Sequence, residues 1–132
     1  MAQIRIIGGL PYVTAIVRLN SRSKTFSYVL LDTGSATCIF KTDHLLDMGL
    51  TFEPGDPIRN IIGIGGIDPV VEKEIESIQI DDMIVSHYKV EVGVLDFNFP
   101  LDGIIGTDFL QAVKAQIDFE TFDINRHKSG GQ

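Results

Sequence analysis

At 132 residues the chain has room for one domain, and with 44% hydrophobic residues it can bury a sizeable core. Its formal charge of −7, with no stripe of basic side chains, repels phosphate backbones and sets nucleic acid aside as a partner. No stretch reaches the ~18 apolar residues of a membrane-spanning helix, and the single cysteine, Cys38, permits no disulfide within the chain.

The opening segment MAQIRIIGGLPY carries one arginine and no long apolar run, unlike a secretory leader, so the expected compartment is the cytoplasm. YVTAIVRLN (12–20) alternates at Val13, Ala15, Val17 and Leu19, and TFSYVLLD (25–32) follows the polar SRSK; together they predict a hairpin. TCIF (37–40) predicts a short third strand. In KTDHLLDMGL the period changes, and Thr42 or Asp43 is placed to cap a short helix that Gly49 ends. FEPGDP (52–57) is a loop. Residues 58–75 form two apolar runs joined at Gly65-Gly66, a favoured two-residue hairpin turn. IESIQI (75–80) and IVSHYKVEVGVL (84–95) alternate and are separated by Asp81-Asp82. FPLDGIIGTDFLQAVKAQ begins as a strand and becomes a helix from about Thr107, QIDFETFDINRH (116–127) alternates again, and residues 128–132 form a frayed tail. Many short strands with two short helices predict a mostly β domain over residues 1–127, closed or folded over into a barrel.

One charge stands out against this pattern. Asp32 directly follows the apolar YVLL and precedes Thr33, Gly34 and Ser35, after which CIF resumes an apolar strand. Asp-Thr-Gly is ordinary turn chemistry. Apolar segments on both sides, however, place this turn inside the protein and not at a hairpin tip, where an unpaired carboxylate is costly to keep.

LLDTGS resembles the catalytic signature of aspartic proteases. Two further elements fit that family in order and spacing. Ile104-Ile105-Gly106, within LDGIIGTDFL, is similar to the hydrophobic–hydrophobic–Gly element that crosses behind the active-site loop and leads into a helix. NIIGIGGI (60–67) is similar to the glycine-rich flap of the retroviral enzymes. The resemblance covers about residues 12–122 and implies a retropepsin-like acid-protease barrel with its active site on a homodimer two-fold axis. It also implies roles. Asp32 is the catalytic residue. Thr33 bonds across the dimer beneath the carboxylates, Gly34 lets the backbone approach substrate, and Ser35 donates to the outer oxygen of Asp32. Ile61, Ile62, Gly63, Ile64, Gly65, Gly66 and Ile67 form the substrate-binding flap, a mobile lid over an extended peptide.

Metal-free peptide hydrolysis needs a base to deprotonate water and an acid to protonate the carbonyl oxygen. Two aspartates sharing one proton supply both, since like charges about 3 Å apart cannot both ionise. This chain holds a single Asp-Thr-Gly, because Asp102-Gly103 lacks the intervening Thr or Ser, so the second aspartate is expected from a second copy. The terminal strand QIDFETFDIN is the expected interface sheet. Many retroviral enzymes also carry an Asp four residues after the catalytic one and an Arg just after the hydrophobic–hydrophobic–Gly element. Here those positions are Ala36 and Thr107, which implies a different arrangement of dimer and substrate contacts.

Rival readings are weaker. A phosphate-binding glycine loop needs a helix start and usually a lysine after the glycines, whereas GIGGIDPVV offers Pro69 and β-branched residues. His44, His87 and His127 lack ligand spacing, so no metal and no cofactor is expected. Cys38 reads as a small buried apolar residue with no histidine motif to activate it. The expected function is a homodimeric aspartic endopeptidase acting on an extended peptide or protein, with neither nucleic acid nor membrane as partner. The alternative is a catalytically inactive dimerisation or peptide-binding module on the same fold.

Overall fold

The computed structural model describes residues 2–63 and 66–126; Ile64 and Gly65 of the expected flap, and the tail at 128–132, lie outside the described residues. Two short strands, β1 (Ala2–Gln3) and β2 (Arg5–Ile7), precede the first long hairpin, β3 (Leu10–Leu19) and β4 (Arg22–Leu31). Its turn is Asn20-Ser21, not SRSK. Both residues take positive φ, 53° and 61°, the conformation of a tight two-residue hairpin turn, so both strands extend further than alternation indicates. The register shifts between Val13 and Ala15, and this irregularity lets Phe26 and Val29 both face the core despite their odd spacing.

β5 (Ile39–Lys41) runs into α1 (Thr42–Leu46). The helix has Lys41 at its N-cap with no side-chain cap, so neither Thr42 nor Asp43 plays that part. Gly49 does end it. With φ of 86° it donates to the Leu46 carbonyl while Leu50 donates to Leu45, a Schellman closure. Next come β6 (Ile58–Gly63), β7 (Gly66–Ile80) and β8 (Met83–Gly93). β7 is continuous where two runs meeting at 75 are expected, because it pairs first with β6 and then with β3 while β8 follows it along most of its length.

The closing elements are β9 (Gly103–Ile105), α2 (Thr107–Ala112), β10 (Ala115–Asp118) and β11 (Asp123–Arg126). The single strand expected over 116–127 is therefore two strands folded back on each other. The Asp118 carboxylate accepts from the Glu120 and Thr121 amides and organises the reversal. β11 has β10 on one side and β1 on the other.

The larger sheet runs β2-β3-β4-β9-β5-β8-β7-β6, and an additional β3–β7 pairing closes β3 through β7 into a barrel. Val13, Ala15, Val17, Val29, Phe40, Ile78 and Ile105 fill its interior. Leu30, Ile39 and Ile104 alternate with these inward residues. They belong to a second cluster with Val70, Leu95, Leu101 and Phe99 on the opposite face of β4-β9-β5. Among the described residues no helix is long and apolar enough to cross a membrane. The molecule is thus mostly β with two short helices.

Candidate active site

β9 enters the barrel between two strands that are consecutive in sequence. It pairs in parallel with β4, Val29 to Gly103 through Leu31 to Ile105, and antiparallel with β5, Ile39 to Ile104. The chain between β4 and β5, residues 32–38, must therefore loop over the end of β9. Asp32 is the first residue of that loop.

The loop is held from below. The Asp32 amide donates to the Ile105 carbonyl at 3.0 Å, carrying the β4–β9 ladder one residue further. The Gly34 amide donates to Asp32 Oδ1 at 2.9 Å and the Ser35 amide to the Asp32 carbonyl at 3.1 Å, which fixes the turn and the carboxylate together. Asp32 is half-buried; Thr33 and Gly34 are exposed above it. Thr107, at the first position of α2, donates from its amide to the Ser35 carbonyl at 2.8 Å and from Oγ1 to the Thr33 carbonyl at 2.9 Å, and the Asp108 amide reaches Ala36 O at 3.2 Å. Thr107 and Ala36, where many retroviral relatives carry a charged pair, are thus joined into one structure by neutral hydrogen bonds.

Gly106 permits this approach. A Cβ there would stand 2.1 Å from the Thr37 carbonyl oxygen and 2.8 Å from that of Ser35. Gly103 is similarly pressed, with a Cβ position 2.6 Å from the Phe40 ring. Both glycines of the Ile104-Ile105 element are required by close approach and not by a special φ.

Ser35 departs from its expected role: its hydroxyl donates to the Thr37 carbonyl at 2.7 Å and not to Asp32. Cys38 is fully buried beneath the loop, accepts from the Gly106 amide at 3.4 Å and donates to Asp108 Oδ1 at 3.5 Å. Burial pushes its thiol up to about 12, so it is no nucleophile.

β6 and β7 pair through Ile62–Ile67 and Gly63–Gly66, so the main chain of the expected flap is a hairpin up to the two residues outside the described set. The side chains of Ile61, Ile62 and Ile67 are likewise not described.

Three site residues escape a reading of the sequence. Glu91, on β8, is only 3% exposed. Its Oε2 accepts from Arg59 Nε at 2.6 Å, and its Oε1 accepts from Arg59 Nη2 and from the Thr37 hydroxyl. Burial raises the carboxyl, but the hydrogen bonds from Arg59 and Thr37 and the Arg59 charge outweigh it, leaving Glu91 below the usual carboxylate range. The one hint is the position of Glu91 in VEVGV, a charge set between valines.

The sequence matches the family model described as aspartyl protease over residues 15–109, from within β3 through the Asp32 loop to α2. No curated protein matches the chain. Among solved structures, a retropepsin-like aspartic protease from Rickettsia conorii superposes with a TM-score of 0.65 at 20% identity, covering 89% of this chain and 83% of that one. The matched family span contains the whole β4–loop–β5 unit and the strand threaded through it, and the chain belongs to the aspartyl protease family, with a retropepsin-like fold.

Proposed function

We propose that the protein is an aspartic endopeptidase whose active site is assembled from two copies, each contributing Asp32. The observation that carries this reading is the loop geometry: a half-buried carboxylate, oriented by the Gly34 amide, sits on a loop clamped by β9 and α2, in a chain with only one Asp-Thr-Gly. In such a site one Asp32, ionised, takes a proton from water as it attacks the scissile carbonyl, and the other, protonated, gives its proton to the carbonyl oxygen. Collapse of the tetrahedral diol returns the carbonyl, breaks the C–N bond and hands a proton to the departing amine. An extended peptide would lie between the β6–β7 hairpin and the Asp32 loop, held by strand-like backbone bonds.

The second copy needs a seat beside Asp32. The expected interface strand is partly pre-empted, since β11 is already flanked on both edges within its own chain. A shallow groove of about 490 Å³ begins at Thr33 and continues over Thr107, Leu110 and Gln111 of α2 to Ala115 and Ile117 of β10. It is contiguous with the loop that must meet its symmetry mate, so we assign the partner copy to it.

The test is cleavage of a mixed peptide library, with and without pepstatin, by the wild type and by Asp32→Asn. The expected result is pepstatin-sensitive cleavage that vanishes in the variant, which keeps its fold because the swap is nearly isosteric. Undiminished cleavage by Asp32→Asn would place the chemistry elsewhere. A fold that cleaves nothing would favour the inactive binding module.

A further inference from the structure

Among the described residues β6 is the last strand of its sheet and pairs with β7 alone. Its root is fastened twice, by side chains on opposite faces. On one face Lys73 of β7 pairs with Asp56, just before β6, at 2.9 Å, and both side chains are largely buried. On the other face lie Val70, Glu72 and, across β8, Glu91 and Gly93 in register. Glu91 is in turn aligned with Ile39 of β5, in the second hydrophobic cluster. Arg59 projects from β6 across this second face and ends on Glu91.

Glu91 is also attached to the Asp32 loop. It receives the Thr37 hydroxyl, and its amide donates to the Cys38 carbonyl at 2.9 Å. Thr37 O accepts the Ser35 hydroxyl and lies against Gly106. An unbroken series of polar contacts thus runs from β6 through Arg59, Glu91 and Thr37 to the loop that orients Asp32. The guanidinium and carboxylate meet two-to-two, the geometry that fixes direction as well as distance.

We propose that Arg59, anchored on the buried Glu91, is a positioning residue that sets the separation between the β6–β7 hairpin and the Asp32 loop, and so the width of the channel that receives the peptide. The proposal rests on the endopeptidase reading and concerns how substrate is held, not the bond-breaking step. Arg59 is suited to this and Lys is not an equal substitute, because one ammonium cannot span both carboxylate oxygens in a fixed plane. The Asp56–Lys73 pair holds the same strand without touching the loop and serves as the internal control.

The experiment compares wild type, Arg59→Met, Arg59→Lys, the neutral double variant Arg59→Gln/Glu91→Gln, and Lys73→Met. Peptide kinetics and amide hydrogen exchange of the folded proteins are measured on each. Arg59→Met is expected to raise KM about tenfold, the worth of one charge-assisted hydrogen bond, with kcat changed by less than about threefold. Arg59→Lys should recover part of that loss, the double variant should lie nearer wild type than Arg59→Met, and Lys73→Met, which leaves the link to the Asp32 loop in place, should raise KM less than Arg59→Met does. In exchange, Arg59→Met should accelerate the amides of both 58–63 and 33–38, whereas Lys73→Met should accelerate only the first. A fall in kcat at constant KM, tracking the folded fraction, would make the pair merely structural and overturn the proposal. So would faster exchange in the hairpin with the 33–38 loop unmoved. The exchange measurement needs no turnover. If the wild type cleaves no peptide, the endopeptidase reading fails on its own, and the tie between hairpin and loop still stands or falls on the exchange pattern.

Discussion

Polar side chains near Asp32 do not always take the role their identity suggests. Ser35 spends its hydroxyl on Thr37 O, so it stiffens the loop instead of holding a carboxylate oxygen. Glu91, on a strand whose alternation would turn it to solvent, is among the few charged groups in the interior. A buried carboxylate that loses its counterion is strongly destabilising, about 3–5 kcal/mol where both partners are buried. Arg59 is 56% exposed, and solvent screening reduces the expected loss in Arg59→Met to about 1–3 kcal/mol. The pH dependence has a definite sign. Glu91 is held below its ordinary value of 4.5, so in the wild type it contributes stability above that pH, which is lost as pH falls through the lower folded value. In Arg59→Met burial remains and the Arg59 bonds and charge are gone, leaving only the Thr37 hydroxyl to favour the carboxylate, so the ionised form becomes the liability and protonation relieves it. The Tm gap between wild type and Arg59→Met should therefore be widest near pH 7 and narrow below pH 4.5. Thermal unfolding across that range checks it, and a gap that widens toward acid would show that Arg59 is not what keeps Glu91 charged.

At the scale of elements, the β4–loop–β5 unit and β9 act as one body, and Gly106 is where they touch. Gly106→Ala would drive a methyl to within 2.1 Å of a backbone oxygen, with no flexible side chain to move aside. The expected loss is at or above the upper end of the ~1–3 kcal/mol typical of overpacking, read as a lowered denaturation midpoint at unchanged m. Ala at Gly55, where nothing stands within 4 Å, is the matched control and should change little. Much of this unit was legible in the sequence, because its signals are local: an apolar run ending in Asp32-Thr33-Gly34, and a glycine after Ile104-Ile105. The insertion of β9 between β4 and β5 was not, since parallel pairing of Leu31 with Ile105 leaves no mark on either segment alone. The same limit hid Arg59, Glu91 and Thr37, whose contacts join positions 32 and 54 residues apart. Boundaries failed where a turn carried no strong turn dipeptide. Asn20-Ser21 went unread beside the more polar SRSK, and the alternation of QIDFETFDIN ran through a reversal that depends on Asp118 accepting two amides.

For the whole molecule the decisive quantity is how many copies make one active site. The barrel and its core are formed by elements of one chain; in the proposed mechanism the second carboxylate comes from another. The contribution of that second copy can be titrated. When wild type and Asp32→Asn are mixed at equal amounts under conditions that allow exchange, statistical pairing leaves about a quarter of the dimers with two native aspartates and about a half with one. If a lone carboxylate cannot both activate water and protonate the carbonyl oxygen, activity should drop to about a quarter of the value for the same total protein as wild type, and should follow the square of the wild-type fraction across a dilution series. A linear dependence would mean that each chain works alone, and a curve above the line, with about three quarters of the activity left at equal mixing, would mean that one Asp32 suffices within a dimer. Sedimentation of the same mixtures distinguishes these two cases. If the groove from Thr33 to Ile117 seats the second copy, Gln111→Glu and Lys114→Glu together, both exposed there, should weaken the dimer by like-charge repulsion. The loss of activity should then be recovered at higher protein concentration or higher salt, as mass action and screening require.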